Sequence, residues 1–212
     1  MMHGLDLLNI AETREYPLCI CWASPGNPSK PHAFHYYSDW DQFISGFPLN
    51  KKIPQAISVK YERAQALYLM AWIRYDVIKA GELAAFAALE LALRDRYWCE
   101  FQDKRKELLK KDKKSVPKYM LNGVNSFLSA GLRFMVDYDG LNDEKLQIYN
   151  KSGGSVIANF FSDDKEQNGT KRSDTLVSFR NSLAHGDPFD GLAIGSLLEI
   201  VRDLIEYMYR DH

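Results

Sequence analysis

Leu83-Ala84-Ala85-Phe86-Ala87-Ala88-Leu89-Glu90-Leu91-Ala92-Leu93 is the stretch that decides the fold, because Glu90 is its only charge. A helix that is apolar on nearly every side has to be buried, so other elements must surround it. The spacing predicts a helix from Glu82 to about Phe101, with Gly81 as the break in front of it. Upstream, nothing between Pro54 and Lys79 is Pro or Gly, and Ile57, Tyr61, Ala64, Leu67, Tyr68, Ala71, Trp72, Tyr75 and Ile78 recur at helical spacing. That pattern predicts a second long helix beside the first. Tyr61, Tyr68 and Tyr75, seven residues apart, read as packing at a helix-to-helix or dimer seam in preference to nucleotide contacts.

Downstream, Lys104, Arg105, Lys106, Lys110, Lys111, Lys113, Lys114 and Lys118 face only Glu107 and Asp112 over residues 104–118. Ser115-Val116-Pro117 is expected to open a third helix running to about Val136. Residues 138–171 are rich in Asp, Asn, Gly and Ser and read as a mostly exposed connection, with short apolar pieces at Val156-Ile157 and Phe160-Phe161. Ser173 or Asp174 can cap a fourth helix that ends at His185, where Gly186-Asp187-Pro188 stops it. A last helix from about Asp190 to Tyr209 places Leu197, Val201, Leu204, Ile205 and Met208 on one stripe.

The first fifty residues differ in character. Tyr16-Pro17-Leu18-Cys19-Ile20-Cys21-Trp22, then Pro25, Gly26, Pro28 and Pro31, then His35-Tyr36-Tyr37 read as a small hairpin. The expected organisation is therefore mainly α: residues 1–50 as an N-terminal extension with a short β-hairpin, and residues 51–212 as an antiparallel helical bundle. No internal repeat is visible.

At 212 residues the chain is long enough for one sizeable core, and 46% hydrophobic with 26% charged residues is an ordinary globular balance. A net charge of -1 gives no global attraction to nucleic acid or to an anionic membrane, so any polyanion must be held by a local patch. Cys19, Cys21 and Cys99 are odd in number and lack zinc or disulfide spacing, which suits a reducing, cytoplasmic setting. Asp6, Glu12 and Arg14 interrupt the N-terminal stretch, so neither a secretory signal nor a membrane span is expected.

Phe179-Arg180-Asn181-Ser182-Leu183-Ala184-His185-Gly186 is the stretch with the clearest chemistry. Asn181 and His185, four apart, share a helix face, and Arg180 lies about 100° around from Asn181. An imidazole can move a proton near neutral pH, and a guanidinium stays charged and matches phosphate oxygens in a bidentate way. Those are the two needs of RNA cleavage without a metal. Asn181 can hold the imidazole or a ribose oxygen in register.

This stretch resembles the HEPN family (higher eukaryotes and prokaryotes nucleotide-binding domains), whose ribonuclease members carry an Arg, usually a polar residue after it, and a His four to six positions beyond. Arg180, Asn181 and His185 match that pattern on the penultimate helix, and the helical layout over residues 54–210 is similar. The resemblance implies a metal-independent endoribonuclease of toxin or antiviral-defence type, with no cofactor. It also implies a homodimer whose two motifs meet in one cleft, and an RNA substrate, with an antitoxin or regulatory protein as a further partner. The alternative it leaves open is a non-catalytic HEPN-like nucleotide-binding or protein-interaction module. In one branch of the family a partner nucleotidyltransferase modifies a tyrosine two positions beyond the histidine; Asp187 stands there in this chain, which departs from that branch.

Glu90 can pair with Arg94 one turn on or with Arg180, and both Glu90 and Arg94 are supporting candidates. Lys110, Lys111, Lys113 and Lys114 are candidate RNA contacts, although a basic run is equally a solvated face. His32 and His35, near Tyr36, Tyr37 and Trp40, lack a third metal ligand and read as hairpin packing. Cys19 and Cys21 share one face of a strand and read as small hydrophobes.

Overall fold

A computed structural model of the chain describes residues 11–112, 114, 116–122, 127–152, 154–161, 166–167, 170–171, 175–185 and 193–211. Thr13–Ser24 (β1) and Asn27–Tyr36 (β2) pair antiparallel across Pro25-Gly26, and Gly26 takes φ +79°, a region glycine enters without a Cβ penalty. The strand period of two turns Leu18, Ile20 and Trp22 inward to full burial and leaves Cys19 exposed, while Tyr16, in phase with Leu18, is exposed beyond a shift of register between Thr13 and Leu18. The outward Cys19 thus does not pack as a small hydrophobe.

Helix α1 (Tyr37–Ser45) follows β2 directly and buries Trp40 and Ile44. Trp22, Phe34, Trp40, Phe43 and Phe47 form one aromatic cluster with ring centroids about 5 to 6 Å apart. The hairpin and the helices share a single core. Polar ties reinforce the union: the Trp22 indole donates to the fully buried Glu199 at 2.8 Å, and Ala23 N–H donates to Ser196 Oγ at 2.7 Å.

Helix α2 (Gln55–Met70) buries Ile57, Tyr61, Ala64 and Tyr68 at the expected spacing, but it ends at Met70 and not near Lys79. Helix α3 (Val77–Lys111) then runs for 35 residues straight through Gly81. The break falls at residues 71–76, and Gly81 serves instead as a contact inside α3. A Cβ there would sit 2.7 Å from Tyr68 Cδ2 and 3.3 Å from the Ala64 carbonyl oxygen. Tyr75, in the break, receives Ala193 N–H on its hydroxyl.

No helix breaker interrupts the chain from Leu83 to Lys111, so α3 continues into the basic run. Its last turns carry Lys106–Asp103, Lys104–Glu107 and Lys111–Glu107 pairs one turn apart. The expected third helix is present as α4 (Lys118–Asn122) and α5 (Phe127–Tyr138), with residues 123–126 outside the described set.

Residues 138–171 depart from the expected exposed connection. They hold a 3-10 turn (Asp143–Lys145), α6 (Tyr149–Ser152), α7 (Val156–Phe160) and the two-residue strands β3 (Glu166–Gln167) and β4 (Thr170–Lys171), and they bury Leu141, Leu146, Ile148, Val156 and Phe161. Their polar residues are used inside the structure: Asp143 accepts from Ser155 Oγ and Ile157 N–H, and Ile148 N–H donates to the buried Asp203.

Helix α8 (Leu176–His185) precedes α9 (Leu197–Met208), whose start lies later than the expected Asp190. Ser196, at φ +62°, turns the chain into α9, and Gly195 ahead of it lies so close to β1 that a Cβ would meet the Cys21 carbonyl oxygen at 2.9 Å. Nearly all of α9 is buried, including Glu199 and Asp203.

Candidate functional site around helix α8

The expected caps Ser173 and Asp174 lie outside the described residues, and the cap that is seen is Thr175. Its hydroxyl accepts Ser178 N–H at 3.1 Å, while Ser178 Oγ accepts Thr175 N–H at 2.9 Å, a reciprocal capping box that fixes where α8 begins. Beyond this start α8 rides high on the surface. Leu176 is buried; Val177, Phe179 and Leu183 are half-buried; Asn181, Ala184 and His185 are exposed.

Arg180 is the polar residue that ties α8 to α3. Its Nε lies 2.8 Å from Glu90 Oε1, with 35% of the Arg180 side chain and 25% of the Glu90 side chain exposed. Nη1 donates to Asn181 Oδ1 at 3.1 Å. These two contacts, through Nε and Nη1, hold the guanidinium while 35% of the side chain stays exposed. Of the two partners the sequence allows for Glu90, the structure selects Arg180; Arg94 lies over the rings of Trp98 and Phe127, 5.8 and 6.0 Å from their centroids.

His185 is exposed and makes no hydrogen bond or ion pair with another described residue. At about 100° per residue it stands roughly 140° around α8 from Arg180 and about 40° from Asn181. Within one chain, therefore, the guanidinium turns toward α3 and the imidazole toward solvent.

Lys110, Lys111 and Lys114 are exposed at the far end of α3, and Lys113 lies outside the described residues. Lys110 is twenty residues beyond Glu90 on the same helix, about 30 Å at the helical rise. The structure does not bring these lysines to Arg180. His32 packs against Phe34 and, at a tilt, Phe43 and pairs with Ser24 Oγ at 3.2 Å, and burial followed by the charge of Lys30 lowers its pKa. Tyr61 and Tyr68 are buried in packing as expected, with the Tyr61 hydroxyl donating to the Phe47 and Leu198 carbonyls.

Sequence reasoning missed three buried acids. Glu82 accepts Ile194 N–H at 2.5 Å and pairs with Lys79 at 3.2 Å; Glu199 takes Trp22 and Lys151; Asp203 takes Arg202 and Ile148 N–H. Their signal was present, since Glu199 and Asp203 both stand among the apolar residues of α9. Among the described residues no group of three His, Cys, Asp or Glu gathers as metal ligands, and no helix is long and apolar enough to cross a membrane. Comparison with protein-family models, curated proteins and solved structures finds no match to the chain.

Proposed function

We propose that this chain is a metal-independent endoribonuclease of HEPN type that works as a homodimer, with Arg180, Asn181 and His185 of both copies lining one cleft. The observation that carries the proposal is the anchoring of Arg180: a half-exposed guanidinium oriented from one side by Glu90 and from another by Asn181, on a surface helix that also presents His185. Such an arrangement holds a fixed positive fork on the same helix as an accessible proton carrier, and a second copy is needed to bring the two groups that phosphodiester transfer requires onto one phosphate.

In the proposed step the ribose 2'-oxygen attacks phosphorus as the imidazole of His185 takes its proton. The P–O5' bond breaks and the leaving oxygen gains a proton from a second imidazole or from water. The products are a 2',3'-cyclic phosphate and a free 5'-hydroxyl, with Arg180 facing the non-bridging oxygens as they gain charge. The angle between Arg180 and His185 on one helix is the reason two copies are invoked: the arginine of one and the histidine of the other close the gap. A role in a toxin or antiviral-defence system, with an antitoxin as regulator, belongs to the same proposal.

The commitment of Arg180 to Glu90 and Asn181 also favours a second reading, a non-catalytic nucleotide-binding or protein-interaction module in which the pair fastens α8 to α3. One experiment separates the two. Labelled single-stranded RNA is incubated with the protein in excess chelator, and the ends are mapped beside a His185→Ala control. Cyclic phosphate ends that require His185 support the nuclease; intact RNA supports the module.

A further inference from the structure

Positive charge in this chain is concentrated in the last turns of α3 and the residues that follow them in sequence. Residues 104–118 hold eight Lys or Arg against two Asp or Glu, a net of +6 in a chain whose total is -1, so the rest of the chain carries -7. Glu107 is already taken: hydrogen bonds from Lys111 and Lys104 hold its carboxyl down at about 2. Lys110, Lys114 and Lys118 are exposed and form no ion pair with another described residue. Six residues before Lys110, Lys104 sets its Nζ 5.7 Å from the ring centroid of Tyr138, which is 42% exposed and stacked on Phe134 at 4.9 Å. A partly exposed ring with a cation at its side can stack an unpaired base.

The distance decides what this arm can do. At physiological salt the Debye length is about 8 Å, so charges about 30 Å from Arg180 exert almost no field on a phosphate bound there. They can contribute only by touching another part of the same ligand. An anionic membrane is the less suitable partner, because Leu109 and Leu121 are only 37% and 36% exposed and offer no broad apolar face.

We propose that the end of α3 is a second anchoring point for RNA, so that the substrate is a strand or hairpin long enough to reach from Lys110 to Arg180. With phosphates spaced roughly 3 to 4 Å along a stacked strand, this is on the order of ten phosphates. Mononucleotides and very short oligonucleotides are then poor ligands. The inference rests on the ribonuclease reading for its near end only.

The test is RNA binding by fluorescence anisotropy over a range of salt, using full-length His185→Ala protein so that the probe is not cut. The probes are labelled RNAs of about 4 and about 20 nucleotides, sizes that bracket the site lengths of single-strand binders. A second protein adds Lys110→Glu, Lys114→Glu and Lys118→Glu, with its melting temperature checked against the first. The expected result is at least about tenfold tighter binding of the long RNA, lost in the charge-reversed protein, with the salt slope shallower by about one per lost phosphate contact. The short RNA binds both proteins equally. Equal affinity of the two proteins for the long RNA overturns the proposal, as does an equal loss on both probes. So does lysine-dependent binding to phosphatidylserine vesicles without lysine-dependent RNA binding. Cleavage of the long probe by the unsubstituted protein is scored separately: if it is absent while lysine-dependent binding persists, the ribonuclease reading fails and the anchoring point stands.

Discussion

Replacing Gly81 by alanine puts two opposed effects at one position. In an ordinary helix interior the change stabilises by about 1 kcal/mol, because alanine has the better helix propensity and the unfolded chain loses freedom. Gly81 has no room for it. The new Cβ would lie 2.7 and 3.1 Å from two ring carbons of Tyr68, and 3.3 Å from a backbone oxygen of Ala64. Tyr68 is fully buried, and its own carbonyl is held by the Trp40 indole at 3.1 Å, so neither ring nor backbone can withdraw cheaply. Overpacking of this kind costs about 1 to 3 kcal/mol. With both close contacts on rigid partners the upper half of that range applies, and the net expectation is a loss of about 1 to 2 kcal/mol. For a chain of this length that lowers the melting temperature by roughly 2 to 8 °C. Thermal unfolding followed by circular dichroism reads the shift, with Tyr68→Leu/Gly81→Ala as the companion that relieves the clash and recovers part of it. A Gly81→Ala protein that melts higher than the parent refutes the close-approach explanation and restores Gly81 to the role of a simple helix break.

Two further expectations concern other named contacts. Glu90→Ala removes a half-exposed ion pair and so costs stability by only about 0.5 kcal/mol, yet it frees the guanidinium of Arg180. RNA cleavage should therefore fall through kcat, with Glu90→Gln retaining more than Glu90→Ala; unchanged turnover in Glu90→Ala removes its positioning role. Burial works to raise the Asp139 pKa, but hydrogen bonds from Arg210 and Tyr97 and the charges of Arg210 and Arg96 outweigh it and hold the carboxyl below its ordinary value. The unfolded chain then binds more protons in the window just below the usual aspartate range, so this stabilisation is complete above about pH 5 and fades below about pH 4. Denaturant unfolding of the parent and of Asp139→Asn should differ at neutral pH and draw together as the pH falls below about 4; a difference that does not narrow in acid contradicts the assignment.

How much of this was legible in the sequence depends on which physical signal each residue carried. Pro25-Gly26 announced the hairpin because few pairs suit that turn, and the apolar spacing of α2 and α9 located both helices within a few turns. Gly81 misled because glycine marks either a break or a close contact, and only the position of Tyr68 distinguishes them. Residues 138–171 misled for a related reason. Asp143 and Ser155 are ordinary loop residues by composition, but here they cap α7 and satisfy its first N–H groups over buried Val156 and Phe161. At the site, Glu90 stood out as the one charge in its stretch, while the choice of Arg180 over Arg94 needed the packing of α8 on α3. The basic run was legible as charge. Its distance from Arg180 was not, since that depends on α3 continuing unbroken to Lys111.

The most direct measurement is the single-turnover cleavage rate of a labelled RNA of about 20 nucleotides, in excess chelator, for the parent, Arg180→Ala and His185→Ala. Far-ultraviolet circular dichroism and melting temperature should show all three folded alike. Removing a positioned proton carrier or the phosphate-facing cation should slow cleavage by about 10²- to 10⁴-fold in each variant. Cleavage at the parent's rate by either folded variant, or no cleavage by the parent itself, contradicts the assignment of Arg180 and His185 as the working pair.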